Sequence, residues 1–120
     1  MYKIYFYADK NGNMPVREYI KELAAKKDKD SRIKLNKIRD YIKALSKYGA
    51  TIGEPYMKKL EGEIWELRPL RDRILFAAWT GSSFVLISHF VKKTQKTPLS
   101  EIEKAKRLLK EYLERSENDG

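Results

Sequence analysis

Ile64 to Pro98, IWELRPLRDRILFAAWTGSSFVLISHFVKKTQKTP, is the stretch whose reading decides the fold. It contains three apolar runs separated by two short turns. In the first run, alternation puts Ile64, Glu66 and Arg68 on one face and Trp65 and Leu67 on the other. Pro69 to Asp72 makes a tight, charged connection to Arg73–Trp79, a strand too apolar to face water on both sides. Gly81, Ser82 and Ser83 then turn the chain into Phe84–Val91. Links this short between consecutive strands favour antiparallel hairpins, so the stretch predicts a three-strand meander.

The flanking segments supply its support. Tyr2–Ala8 (YKIYFYA) is rich in aromatic and β-branched residues and predicts an N-terminal strand. Asn13 is placed to cap a first helix with Pro15 in its first turn, and Val16, Tyr19, Ile20, Leu23 and Ala24 form its buried face. Asp30 or Ser31 is placed to cap a second helix whose apolar face is Leu35, Ile38, Tyr41, Ile42 and Leu45, and Gly49 ends it. Residues 50–61 read as a loop, in which MKKL has the option of one helical turn. Thr97-Pro98 or Ser100 opens a C-terminal helix carrying Ile102, Ala105, Leu108, Leu109, Tyr112 and Leu113, which ends before Ser116. The expectation is an α+β fold. A small, antiparallel-rich twisted sheet, made of the N-terminal strand and the meander, packs against two N-terminal helices and a C-terminal helix. A single domain is expected over 1–115, followed by a disordered tail, 116–120.

Composition narrows the function. Lys and Arg number 26 against 17 Asp and Glu, a formal charge of +9 that attracts polyanions, nucleic acid first, then an acidic protein or a membrane surface. The second helix contributes a basic face, Arg32, Lys34, Lys37, Arg39, Lys43 and Lys47, for which a solvated surface is the plain reading. Cysteine is absent and histidine occurs once, which argues against disulfides, thiolate chemistry and a zinc site. No apolar run approaches a membrane span and the first residues lack signal-peptide character, so a cytoplasmic protein is expected, with no membrane partner.

Topology gathers the cations. In a meander, Arg68 and Arg73 flank the first turn, and the end of the third strand, which releases Lys92 and Lys93, lies beside the start of the second, so Arg68, Arg73 and Lys93 are expected around one pocket. Arg grips a phosphate through parallel hydrogen bonds, whereas Lys acts as a movable point charge. Such a cluster suits metal-free attack of an RNA 2′-hydroxyl on its own phosphate, with the cations stabilising the phosphorane oxygens. Glu66, His89 or a lysine are the available acid and base types. The plain alternatives are a surface ion pair for Glu66 and Arg68, a half-buried structural role for His89, and core positions for Trp65 and Trp79. Lys92, Lys93 and Lys96 crowd like charges in a way that a phosphate partner relieves. A metal-dependent nuclease is disfavoured, because Glu63 and Glu66 fall on opposite strand faces and the surrounding cations oppose a metal ion; no metal or other cofactor is expected.

GEIWELRPLRDRILFAAW and HFVKKTQKTPLSEIEKAK together resemble the HigB branch of the RelE-like toxins of bacterial and phage-derived toxin-antitoxin systems. The resemblance implies a RelE-like α/β toxin that enters the ribosomal A site and cleaves mRNA there without a metal, using the 2′-hydroxyl as nucleophile. By position it implies phosphate-handling roles for Arg68, Arg73, Lys92 and Lys93. Arg71, Gln95 and Lys96 follow as substrate or ribosomal RNA contacts. Ser88-His89 stands where relatives often carry His-Gly, and Glu66 where some carry a basic residue. The implied partner is a helix-turn-helix antitoxin of the HigA kind, through whose complex alone operator DNA is bound. The alternative is a non-catalytic ParE-like toxin, or a basic nucleic-acid-binding module, that acts by contact without cleavage.

Overall fold

The computed structural model describes residues 1–119. Its elements are β1 (Lys3–Phe6), α1 (Pro15–Ala25), α2 (Lys29–Tyr48), a 3₁₀ turn (Gly49–Ile52), β2 (Met57–Lys59), β3 (Trp65–Leu67), β4 (Asp72–Trp79), β5 (Ser83–Val91) and α3 (Leu99–Asp119). The fold is α+β, a five-stranded mixed sheet in the order β1-β5-β4-β3-β2 with helices on both faces. The meander forms as expected, with β3, β4 and β5 antiparallel in sequence order. β1 adds to it in parallel, pairing Lys3 with Ser83 and Phe6 with Leu86.

Alternation along the strands sorts the core into two layers. Ile74 and Phe76 of β4, with Leu67, Phe84 and Leu86, pack under Val16 and Leu23 of α1 and Leu35, Ile38 and Leu45 of α2. Leu75 and Ala77, with Ile64, Val85 and Ile87, pack under Ala105 and Leu109 of α3. β4 is therefore buried on both faces, which is why its sequence is a continuous apolar run.

Several local expectations are corrected. Met57–Lys59, expected in a loop or helical turn, is an edge strand antiparallel to β3, with Lys58 opposite Glu66. Its three residues are too few to show a period in the sequence, and Met57 alone reaches the core, 1% exposed beside Leu67. α1 is capped at Met14 instead of Asn13, whose backbone and side-chain amides donate to Asp9 at 2.9 and 3.0 Å. α2 is capped by Asp28, whose carboxylate accepts from the Ser31 amide at 2.9 Å and hydroxyl at 2.8 Å, so Ser31 receives the cap that it was expected to provide. Gly49 does end α2, at φ 67°. α3 continues through Asp119, beyond the expected end before Ser116, while Gly120 lies outside the described residues.

β5 carries one irregularity that matters for the site. Leu75 pairs with Ser88 and Phe76 with Leu86, leaving Ile87 as an extra residue. This bulge reverses the alternation beyond it. His89, two residues from Ile87, would share the α3 face in a regular strand; instead it lies on the α1 side, and Phe90 takes the α3 side.

Candidate nucleic-acid interface

A groove of about 330 Å³ opens where the ends of β2, β3, β4 and β5 meet the 92–98 connection and the start of α3. Glu66 forms its floor. It follows Trp65 in a strand whose neighbouring positions face the α1–α2 layer, so alternation turns it towards α3, and it is only 2% exposed. A buried carboxylate needs partners. Thr97 Oγ1 donates to Glu66 Oε2, and the Nε atoms of Arg68 and Arg73 lie 3.6 and 3.8 Å from Oε1. One carboxylate thus sits between a hydroxyl and two guanidinium groups, drawn from β3, β4 and the connection after β5.

The two arginines are held differently. Arg73 is 6% exposed, and its Nη1 donates to the carbonyls of Leu70 and Asp72, both at 2.8 Å. Burial pulls its pKa below the ordinary guanidinium value, while the charge of Glu66 opposes the shift. Arg73 therefore ties the β3–β4 turn to the floor of the groove. Arg68 lies just past β3 and, among the described residues, has only long ion pairs, to Glu66 and, at 3.7 Å, to the exposed Glu54. Its Nε is buried with no hydrogen-bond partner among those residues. Its donors are the less committed of the two, and an anion entering the groove can take them up.

Lys58, Lys59, Lys92 and Lys96 complete the cationic lining, with Gln95 among the polar residues. Lys92 is placed by its backbone: its amide donates to the Arg71 carbonyl at 2.7 Å, and Arg71 Nη2 donates back to the Lys92 carbonyl at 3.1 Å. The structure therefore brings Glu66, Arg68, Arg73, Lys92, Gln95 and Lys96 into one groove. Arg71 and Lys93 lie outside it, lining a neighbouring cavity on the other side of the connection, so the pocket expected to gather Lys93 with Arg68 and Arg73 takes Lys92 instead. Lys58 and Thr97 were missed in the sequence. Lys58 belongs to the strand too short to detect, and Thr97 was read only as a helix start and as part of the KKTQKTP motif, with no role in the site.

His89 does not join the groove. On the opposite face of the sheet its ring stacks on Tyr19, centroids 3.6 Å apart, and its Nε2 lies 3.0 Å from Asp72 Oδ1. The Tyr19 hydroxyl donates to the same oxygen at 2.8 Å. Burial raises the pKa of Asp72, but hydrogen bonds from His89 and Tyr19 outweigh it and leave the carboxyl below its ordinary value. Burial and the hydrogen bond to Asp72 push the Tyr19 phenol upward. The half-buried structural position is the one adopted, and the sheet separates His89 from the groove. Trp65 packs against the α1–α2 core and Trp79 against the α3 core.

No curated protein matches the chain. A family model described as "Phage derived protein Gp49-like (DUF891)" matches residues 18–110, a span that includes every residue lining the groove. With most of its length matched, the chain belongs to this Gp49-like family of phage-derived proteins, a family of the RelE toxin-like type.

Proposed function

We propose that this protein is the toxin of a type II toxin-antitoxin system, close to the HigB branch, and that it cleaves mRNA on the ribosome without a metal ion. The observation that carries the reading is the groove: Arg68, Lys58, Lys92 and Lys96 converge over a buried carboxylate that accepts a hydrogen bond from Thr97 and is ion-paired with the two arginines. Such a floor orients the two arginines, and their charge offsets the carboxylate that an incoming phosphate would otherwise meet.

In the proposed reaction the 2′-oxygen loses its proton and bonds to the adjacent phosphorus, the bond from phosphorus to the 5′-oxygen breaks, and the leaving 5′-oxygen gains a proton. The products are a 2′,3′-cyclic phosphate and a 5′-hydroxyl. Arg68 and Lys92 stabilise the charge that accumulates on the non-bridging oxygens. Glu66 is a positioning residue, acting through Arg68 and Arg73. The silencing partner in this reading is a helix-turn-helix antitoxin.

Sequencing RNA 5′ ends after induction tests the proposal. Cleavage within translated codons is the expected result, and intact mRNA accompanied by DNA damage would instead favour a contact toxin of the ParE kind. Arg68→Ala and Lys92→Ala should each remain folded by circular dichroism, lower cleavage about 10²- to 10³-fold and relieve growth arrest, the loss typical of removing one electrostatic donor at a developing oxyanion. Full toxicity in both variants would show that the groove is not the active site.

A further inference from the structure

Beside the groove, on the other side of the 92–98 connection, lies a second cavity of about 500 Å³. Arg73, Lys92, Thr94 and Gln95 line both. The second is distinguished by Arg71 and Lys93, and among the described residues no carboxylate lines it, whereas Glu61 and Glu66 line the first. Its two guanidinium groups, Arg71 and Arg73, are held by backbone carbonyls. Arg71 is tethered through Nη2 to the Lys92 carbonyl, and Lys92 through its amide to the Arg71 carbonyl. On the rim stands Leu70, 48% exposed in a left-handed conformation, φ 58°, with its carbonyl bound by Arg73 Nη1. A leucine in that conformation is strained and would ordinarily be replaced by glycine or asparagine in a tight turn. Here it adds an exposed apolar surface next to a guanidinium that the backbone holds, so that a nucleotide's phosphate and its apolar base face can be met side by side.

We infer that this cavity is a second nucleotide subsite, in which Arg71 and Lys93 take the phosphate next to the scissile one on the same RNA strand and Leu70 faces the attached nucleoside. The inference rests on the reading of the first groove as the scissile-phosphate site. Because the two cavities share Lys92 and the walls around it, one strand crossing the 92–98 connection can engage both. Lys93, which the sequence groups with Lys92, serves substrate length here and not the reacting phosphate.

The test is equilibrium binding of 2′-O-methyl RNA, which cannot be cleaved, so its outcome is separate from that of the 5′-end experiment. The probes are a dinucleoside monophosphate with one phosphate and a trinucleoside diphosphate with two. Wild-type protein should bind the trinucleotide about tenfold more tightly, the value of one additional charge-assisted phosphate contact. In Arg71→Ala/Lys93→Ala that advantage should disappear while the dinucleotide binds as in wild type, and Arg71→Lys/Lys93→Arg should restore most of it. Equal weakening for both probes would overturn the inference, since it would mean a loss of general field or of fold. An advantage that survives the double substitution would overturn it too, as would no binding of either probe. If wild-type protein bound two dinucleotides without favouring the trinucleotide, the cavity would serve a separate strand, such as ribosomal RNA, and the same-strand assignment would fall.

Discussion

Asp72 and Arg73 are adjacent in the sequence, wholly or almost wholly buried, and point to opposite faces of the sheet. Their neighbours are correspondingly different: Asp72 accepts from Tyr19 and His89, whereas Arg73 faces Glu66. The Asp72 carbonyl also accepts from Arg73 Nη1, so the network on the α1 side helps to hold the arginine on the groove side. Asp72 carries a pH signature. Its folded pKa lies below the ordinary value of 3.8, so the ionised carboxylate stabilises the fold at pH values above 3.8, and that contribution is lost as pH falls through the lower folded value. Asp72→Asn should cost about 2 kcal/mol at pH 7, the scale of hydrogen bonds to a charged acceptor. Urea denaturation from pH 7 to pH 2 should show this deficit shrinking below pH 3.8; a constant deficit would mean that the carboxylate is not preferentially ionised in the fold. Residue types were legible here as candidates, but their partners were not. Nothing near Asp72 in the chain announces Tyr19, which is 53 positions away.

Elements with a long period were read correctly, and the exceptions are short. α1, α2 and α3 each show a helical apolar stripe, and β4 and β5 are long apolar runs, so their types followed from periodicity. β2 has three residues and no period to detect, yet it carries Lys58 to the groove. The bulge at Ile87 is a one-residue event that decides on which side of the sheet His89 lies, and no composition rule marks it. Gly49 shows the opposite case, where one residue type announces its geometry. At φ 67° it ends α2, and a Cβ built there would lie 2.7 Å from Tyr2 Cε2, in a ring that also packs on Phe84. Gly49→Ala should therefore destabilise the protein by about 1–2 kcal/mol, adding backbone strain to the displacement of Tyr2 from the end of α2. Thermal melting of Gly49→Ala with and without Tyr2→Ala checks the division. If the clash contributes, the second change should recover part of the loss relative to Tyr2→Ala alone.

Across the whole molecule, the net charge of +9 sets an attraction that no single residue supplies. Binding to single-stranded RNA should weaken steeply with salt, with a slope of log K against log salt of about −0.7 for each phosphate neutralised. Replacing a groove cation such as Lys96 by Ala should flatten that slope by about 0.7, whereas replacing Lys43 on α2 should leave it unchanged if that face is only solvated. Titrations at several salt concentrations measure both, and equal flattening by the two would indicate a diffuse field without a defined groove. By itself the sequence determined the charge, the helical stripes and the order of apolar runs, because each is a property of composition or local period. From those followed the meander, and from the meander the meeting of Arg68 and Arg73 with the end of the last strand, where Lys93 was expected in the pocket and Lys92 is found. Tertiary structure alone decided which of these cations remain free. Arg73 is spent on the turn and on Glu66, Lys93 lines only the neighbouring cavity while Lys92 lines both, and His89 is turned to the far face by one inserted residue. The physical reason is that burial and hydrogen-bond commitment depend on groups far apart in the chain, and a one-residue slip in a strand exchanges its two faces.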